Sequence, residues 1–70
     1  MNSFDGGRYF TSDGVQIEPG LRVFTNNARW GTVTDDRAGA YDGWFNVDED
    51  DKGKTLLNGE RMSTRLPRGW

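Results

Sequence analysis

The sequence predicts an all-β fold: a small barrel of five short strands, preceded by an N-terminal β-hairpin extension. Three observations lead there. Four Asx-Gly dipeptides (Asp5-Gly6, Asp13-Gly14, Asp42-Gly43 and Asn58-Gly59) punctuate the chain, and such pairs favour positive φ and tight reversals. Between them lie short segments rich in β-branched and aromatic residues: RYFT, GVQI, LRVFT, RWGTVT, GWFNV, KTLL and ERMST. No stretch sustains apolar residues at i, i+3, i+4 and i+7 over three turns, which argues against a long helix.

Taken in order, residues 1–7 are expected to be a flexible lead, and residues 8–17 the hairpin, turning at Asp13-Gly14. If residues 25–29 form the next loop, Leu21 lies opposite Val33 and Val23 opposite Gly31. On the other face Phe24 then meets Trp30, and Arg22 meets Thr32. Gly31 in mid-strand suits a sharp bend, where a side chain would crowd a curled sheet. Along the third strand, alternation separates Phe45 and Val47 from Trp44 and Asn46. A tight turn at Asp51-Lys52 sets Val47 against Leu56. The face so defined, Leu21, Val23, Val33, Phe45, Val47 and Leu56, is the expected core, closed by Ile17 and Met62 and capped by Leu57, Leu66 and Pro67. One domain over 8–66 and a flexible end at 67–70 complete the expectation.

A single domain of this size buries only roughly 60% of the surface its unfolded chain exposes, so its margin of stability is thin. The chain has no cysteine and no histidine, which removes disulfides and any zinc site built from thiolate or imidazole. Cysteine-free composition fits a cytoplasmic protein. Hydrophobic residues make up 33% and ten residues are glycine, so a few bulky side chains must carry the core. Nothing approaches the apolar length of a membrane span, and no secretory leader is expected from the first residues. Nine Lys+Arg against eleven Asp+Glu give a net charge of −2, unfavourable for general affinity to nucleic acid or anionic lipid. The charge is uneven: seven acids fall between residues 35 and 51 with Arg37 their only cation, while Arg61, Arg65 and Arg68 close the chain.

Catalysis finds little to work with. Ser-His and Cys-His arrangements are impossible here, and carboxylates in a run on a hairpin tip lack the dry cleft that would shift their pKa values. No phosphate-cradling GxGxxG or GxxxxGK[ST] occurs. The acid run fails as a calcium loop: with Asp48 and Asp50 at positions 1 and 3 and Gly53 at 6, Lys52 falls at position 5 and Gly59 at 12, where a bidentate glutamate belongs. The reading is therefore not an enzyme, with no cofactor and no metal; the plain account of the acids is a solvated tip that keeps an edge from pairing.

The stretch "PGLRVFTNNARWGTV" resembles the entry of KOW, Tudor and related small barrels, in which G-x-x-V precedes a short loop and G-x-V. Five strands between residues 21 and 65, with a tight Asn58-Gly59-Glu60 turn before the last, resemble the Src-homology-3-like barrel; the resemblance implies a single 3₁₀ turn between strands four and five. Over residues 13–62 the order "DG..I..G.RV", "WGTV", "GWF.V", an acid run and "LNGERM" is similar to small uncharacterised proteins of actinobacteria and their phages. That group implies no particular activity.

Aromatic placement is the most informative functional feature. Trp30 and Trp44 fall opposite the expected core, with Tyr41 just before the third strand. Grooves of Src-homology-3-like and Tudor-like barrels combine such rings with carboxylates, the rings gripping aliphatic or cationic groups and the acids selecting Arg or Lys. The expected site is thus Trp30, Tyr41, Trp44, Asp48, Asp50 and Asp51, binding a protein partner of basic character, with the hairpin bringing the acids to the Trp44 end. The alternatives are a second mini-core under the N-terminal hairpin, a purely structural or assembly role, and a KOW-like nucleic-acid face. That face would use Arg22, Arg29, Arg61 and Arg65, since arginine both stacks and forks onto phosphate.

Overall fold

The structure, a computed structural model, describes residues 8–66. The flexible ends expected at 1–7 and 67–70, the Asp5-Gly6 turn and the capping role of Pro67 lie outside the described residues. Five strands follow one another: β1 (Arg22–Thr25), β2 (Trp30–Val33), β3 (Trp44–Glu49), β4 (Gly53–Asn58) and β5 (Met62–Ser63). They form one antiparallel sheet in the order β4-β3-β2-β1-β5, curled into a half-barrel. A 3₁₀ turn, Gly59–Arg61, carries the chain from β4 across to the far side of β1, where β5 pairs. No helix among the described residues is long and apolar enough to cross a membrane.

The β1–β2 hairpin has the register the sequence predicts: Arg22 faces Thr32, Val23 faces Gly31 and Phe24 faces Trp30. At Gly31, β3 lies close against β2. A Cβ there would lie 2.8 Å from Val47 Cγ1 and 2.9 Å from the Asp48 carbonyl oxygen, so any larger residue would push the strands apart. Ile17, Val23, Val33, Phe45, Val47, Leu57 and Met62 form the buried core, with Tyr9 and Leu21 packed against it.

Leu57, not Leu56, completes that core. Three residues, Asp50 to Lys52, separate Glu49 from its partner Gly53, and the Glu49 carbonyl accepts from Lys52 N at 3.2 Å. The two-residue turn expected at Asp51-Lys52 would have paired Val47 with Leu56; the longer turn pairs Val47 with Thr55 and Phe45 with Leu57. A slip of one residue exchanges the faces of a strand, so Leu56 leaves the core and Leu57 enters it.

Ahead of the sheet, the N-terminal hairpin has one bridge, Phe10 to Gln16, and bonds Thr11 N to Val15 O and Ile17 N to Tyr9 O. It is tied to β5 through Ser12 N and the Met62 carbonyl at 2.9 Å. Its turn is latched by Asp13, which accepts from Thr11 Oγ1, Thr64 N and Thr64 Oγ1. Partial burial alone would raise the Asp13 pKa, but these hydrogen bonds outweigh it and hold the carboxyl down at about 2. The hairpin crosses the 3₁₀ turn so closely that a Cβ on Gly59 would run into the Phe10 carbonyl oxygen. Asn58-Gly59 therefore serves a close backbone crossing, not a hairpin turn.

Candidate functional site

The expected site residues separate into two groups. Trp44 opens β3 and Glu49 ends it, a span of roughly 16 Å at strand rise. Tyr41 stays with Trp44; Trp30 lies at the other end, where its carbonyl accepts from Asp50 N at 3.0 Å. Asp48, Asp50 and Asp51 thus neighbour Trp30 and not Trp44. The expectation that the hairpin would bring the acids to Trp44 is corrected by strand direction: β3 runs away from Trp44, and five further residues of extended chain intervene before the turn.

At the turn end, charges meet within the molecule. Arg22 reaches both Asp50 oxygens, at 2.9 and 2.7 Å, and also donates to Thr32 Oγ1. These bonds hold the Asp50 carboxyl below its ordinary range and raise the guanidinium of Arg22. Asp51 lies 3.7 Å from Arg29, and Asp48 pairs across the ladder with Lys54. Lys54 in turn bonds Asp36 in the β2–β3 loop, which holds that carboxyl low as well.

Glu49 departs from the solvated tip altogether. It is 3% exposed and accepts hydrogen bonds at Oε2 from Thr25 Oγ1 (2.6 Å) and Asn27 Nδ2 (3.0 Å). The signal was in the alternation: Phe45, Val47 and Glu49 share a face, as do Val23 and Thr25. Phe24 is likewise buried though it faces away from the main core, with the half-buried Trp30 edge-on at 5.4 Å.

At the other end an open depression of about 310 Å³ is lined by aromatic and acidic side chains, among them Tyr9, Phe10, Trp44, Asp42 and Glu60. Tyr41 packs edge-on to Trp44 at 6.0 Å, and the Arg61 guanidinium stands 5.6 Å from the Trp44 ring centroid. Trp44 is half-buried, while Phe10 is 55% and Tyr41 64% exposed. Neither Asp42 nor Glu60 has an ion-pair partner among the described residues. Sequence reasoning missed Tyr9, Phe10, Asp42 and Glu60, because only the folding-back of the hairpin over the 3₁₀ turn brings them to Trp44.

The loop between β2 and β3 is anchored by a buried polar residue. Asn46 Nδ2 donates to the carbonyls of Asp36 and Ala38, both at 2.9 Å. Arg37 from the same loop donates to the Trp44 carbonyl and lies 4.9 Å from the Phe45 centroid. These bonds position Tyr41 and Asp42 beside Trp44.

The four arginines of the alternative face are engaged elsewhere: Arg22 by Asp50, Arg29 near Asp51, Arg61 over Trp44, and Arg65 at 3.7 Å from Asp13. No three Asp or Glu side chains among the described residues gather closely enough to hold a metal ion. No family model, curated protein or solved structure matches the chain, so the site is read from its own geometry.

Proposed function

We propose that the chain is a non-catalytic binding module of the Src-homology-3-like class, which receives a basic protein segment in the Trp44 depression. Strand order β4-β3-β2-β1-β5 with a 3₁₀ turn before β5 supports the barrel class, as does the resemblance, read from the sequence, of its motif order to that of small actinobacterial and phage proteins. The observation that carries the function is one: Asp42 and Glu60, both without an ion-pair partner among the described residues, flank the half-buried Trp44 and the exposed Phe10 and Tyr41. Rings supply contact area at low entropic cost, and open carboxylates favour a Lys or Arg side chain laid over them. The stacking of Arg61 on Trp44 supports the same chemistry, since the ring face already accommodates a guanidinium. Cytoplasmic residence belongs to this reading, on the cysteine-free composition.

The test is binding to an array of short peptides of graded charge. Basic peptides should bind and acidic ones should not. Trp44→Ala should weaken binding by 2 kcal/mol or more, about 30-fold, while lowering stability by only about 1–2 kcal/mol. Replacing Asp42 and Glu60 by Asn and Gln should slow association and flatten its salt dependence. Equal binding of acidic and basic peptides, or full binding by Trp44→Ala, would sink the proposal.

A further inference from the structure

The opposite end of the half-barrel carries a second depression of about 490 Å³, formed by Asn27, Arg29, Glu49, Lys52, Lys54 and Thr55. At its floor stands the buried Glu49 carboxylate, whose hydrogen bonds both arrive at Oε2. The other oxygen, Oε1, accepts none from the described residues, yet it is not among the buried side-chain atoms left without a partner. It therefore opens into the depression. A carboxylate taken out of water with only neutral donors is costly, and one oxygen left open makes it a receptive acceptor.

The rim has the opposite sign. Arg29 sits 3.7 Å from Asp51, beyond hydrogen-bond length, and Lys52 has no carboxylate partner among the described residues. Lys54 is occupied by Asp36. Lys52 thus remains available at the mouth, and beside it Arg29 is held only by its long ion pair with the exposed Asp51, above an acceptor in the depth. An anionic group belongs at the rim, because Glu49 would repel it further in. The depth calls for a neutral donor, because an ammonium group there would meet Arg29 and Lys52. A phosphate, with close to two negative charges and three acceptor oxygens, suits a pair of cations better than a carboxylate does.

We infer that this mouth is a second binding site, taking a small phosphorylated polyol such as a sugar phosphate: phosphate on Arg29 and Lys52, a hydroxyl donating to Glu49 Oε1. It is independent of the Trp44 depression at the other end of β3. A nucleic-acid strand offers the same ribose phosphate, but the net charge of −2 and the neighbouring Asp36, Asp48 and Asp51 disfavour a polyanion.

The experiment is a heteronuclear NMR titration of the full chain with ribose 5-phosphate at constant ionic strength, with inorganic phosphate, ribose and an eight-nucleotide single-stranded RNA as further arms. Saturable shifts should centre on Asn27, Arg29, Glu49 and Lys52 and leave Trp44 unmoved. Inorganic phosphate should bind about tenfold more weakly, and ribose should not saturate. Lys52→Ala, at an exposed turn position, should weaken ribose 5-phosphate about tenfold. Glu49→Gln keeps an acceptor for Thr25 and Asn27 and should bring the affinity for the sugar phosphate towards that for phosphate alone. No shifts at these residues, equal binding of inorganic phosphate, or tighter binding of RNA than of the monomer would each overturn the assignment.

Discussion

At the Glu49 end of β3, acids meet cations inside the molecule: Asp50 is clasped by Arg22, Asp48 faces Lys54, and Glu49 is buried on Thr25 and Asn27. At the Trp44 end, Asp42 and Glu60 lack such partners among the described residues and stand by the exposed Phe10 and Tyr41 and the half-buried Trp44. The dense acid run therefore contributes less open negative charge than its sequence implies, and two scattered acids contribute more. Local charge density in a sequence is a poor guide to available charge, because the register of the sheet decides which cation each acid meets.

The largest effect comes from removing what joins the two ends. Phe45 is fully buried, touches Tyr9 edge-on at 5.9 Å and pairs with Leu57 across the ladder. Phe45→Ala should cost about 3–5 kcal/mol, a large part of the stability of so small a domain. Chemical denaturation measures it directly. A variant melting within a few degrees of wild type would show that the core lies on the other face.

Next in size is the contrast between neighbouring leucines of β4. Leu57→Ala should cost about 2–4 kcal/mol, whereas Leu56→Ala should cost less than about 1 kcal/mol. The reverse order would restore the two-residue turn and the pairing of Val47 with Leu56.

Much of this was legible in the sequence. The β1–β2 register follows from loop length and alternation alone, and Gly31 announced the close approach of β3. Asp13-Gly14 and Asp42-Gly43 both place their glycine in the left-handed region, as the dipeptides imply. The β4 register was lost because it hangs on one residue of turn length, and Gly53, at φ +82, was the sign that the turn ran longer. The Trp44 depression was half visible. Tyr41 and Trp44 are neighbours along the chain, but Phe10 and Glu60 arrive from segments 50 residues apart, and no local pattern records that crossing.

A smaller effect isolates the Trp44 end through the hairpin that supplies Tyr9 and Phe10. Asp13 holds that hairpin to Thr64 with a carboxyl pKa lowered to about 2 from the ordinary 3.8. A depressed folded-state pKa gives stability that is present above the unfolded value and lost as pH falls through the folded one. Allowing for solvent screening, the latch should contribute about 1–2 kcal/mol at neutral pH, fading between about pH 4 and 2. Asp13→Asn should lose most of that at pH 7 and show a flatter slope in the acid range. The Phe10 and Tyr9 resonances should shift more than those around Glu49. Equal slopes in both proteins would mean that Thr64 and Asp13 are not coupled in solution.

The smallest effect sharpens the Glu49 end. Two hairpins meet there, each with a left-handed residue: Gly53, the first of β4, and Ala28 between β1 and β2, at φ +62. Ala28 N donates to the Thr25 carbonyl at 3.0 Å, and Thr25 N to the Arg29 carbonyl at 2.8 Å, so the loop is hydrogen-bonded in this strained form. A left-handed L-residue costs about 1–2 kcal/mol that glycine does not incur. Against this, glycine adds about 0.4–1 kcal/mol of unfolded-chain entropy. Ala28→Gly should therefore stabilise the protein by roughly 0.5 kcal/mol, read as a small rise in the urea midpoint at unchanged slope. Because Asn27 and Arg29 flank the substitution and line the Glu49 mouth, the same variant reports on that end. A midpoint that falls would mean that Ala28 relaxes out of the left-handed region in solution, and that Asn27 is not held against Glu49 as the hydrogen bond at 3.0 Å requires.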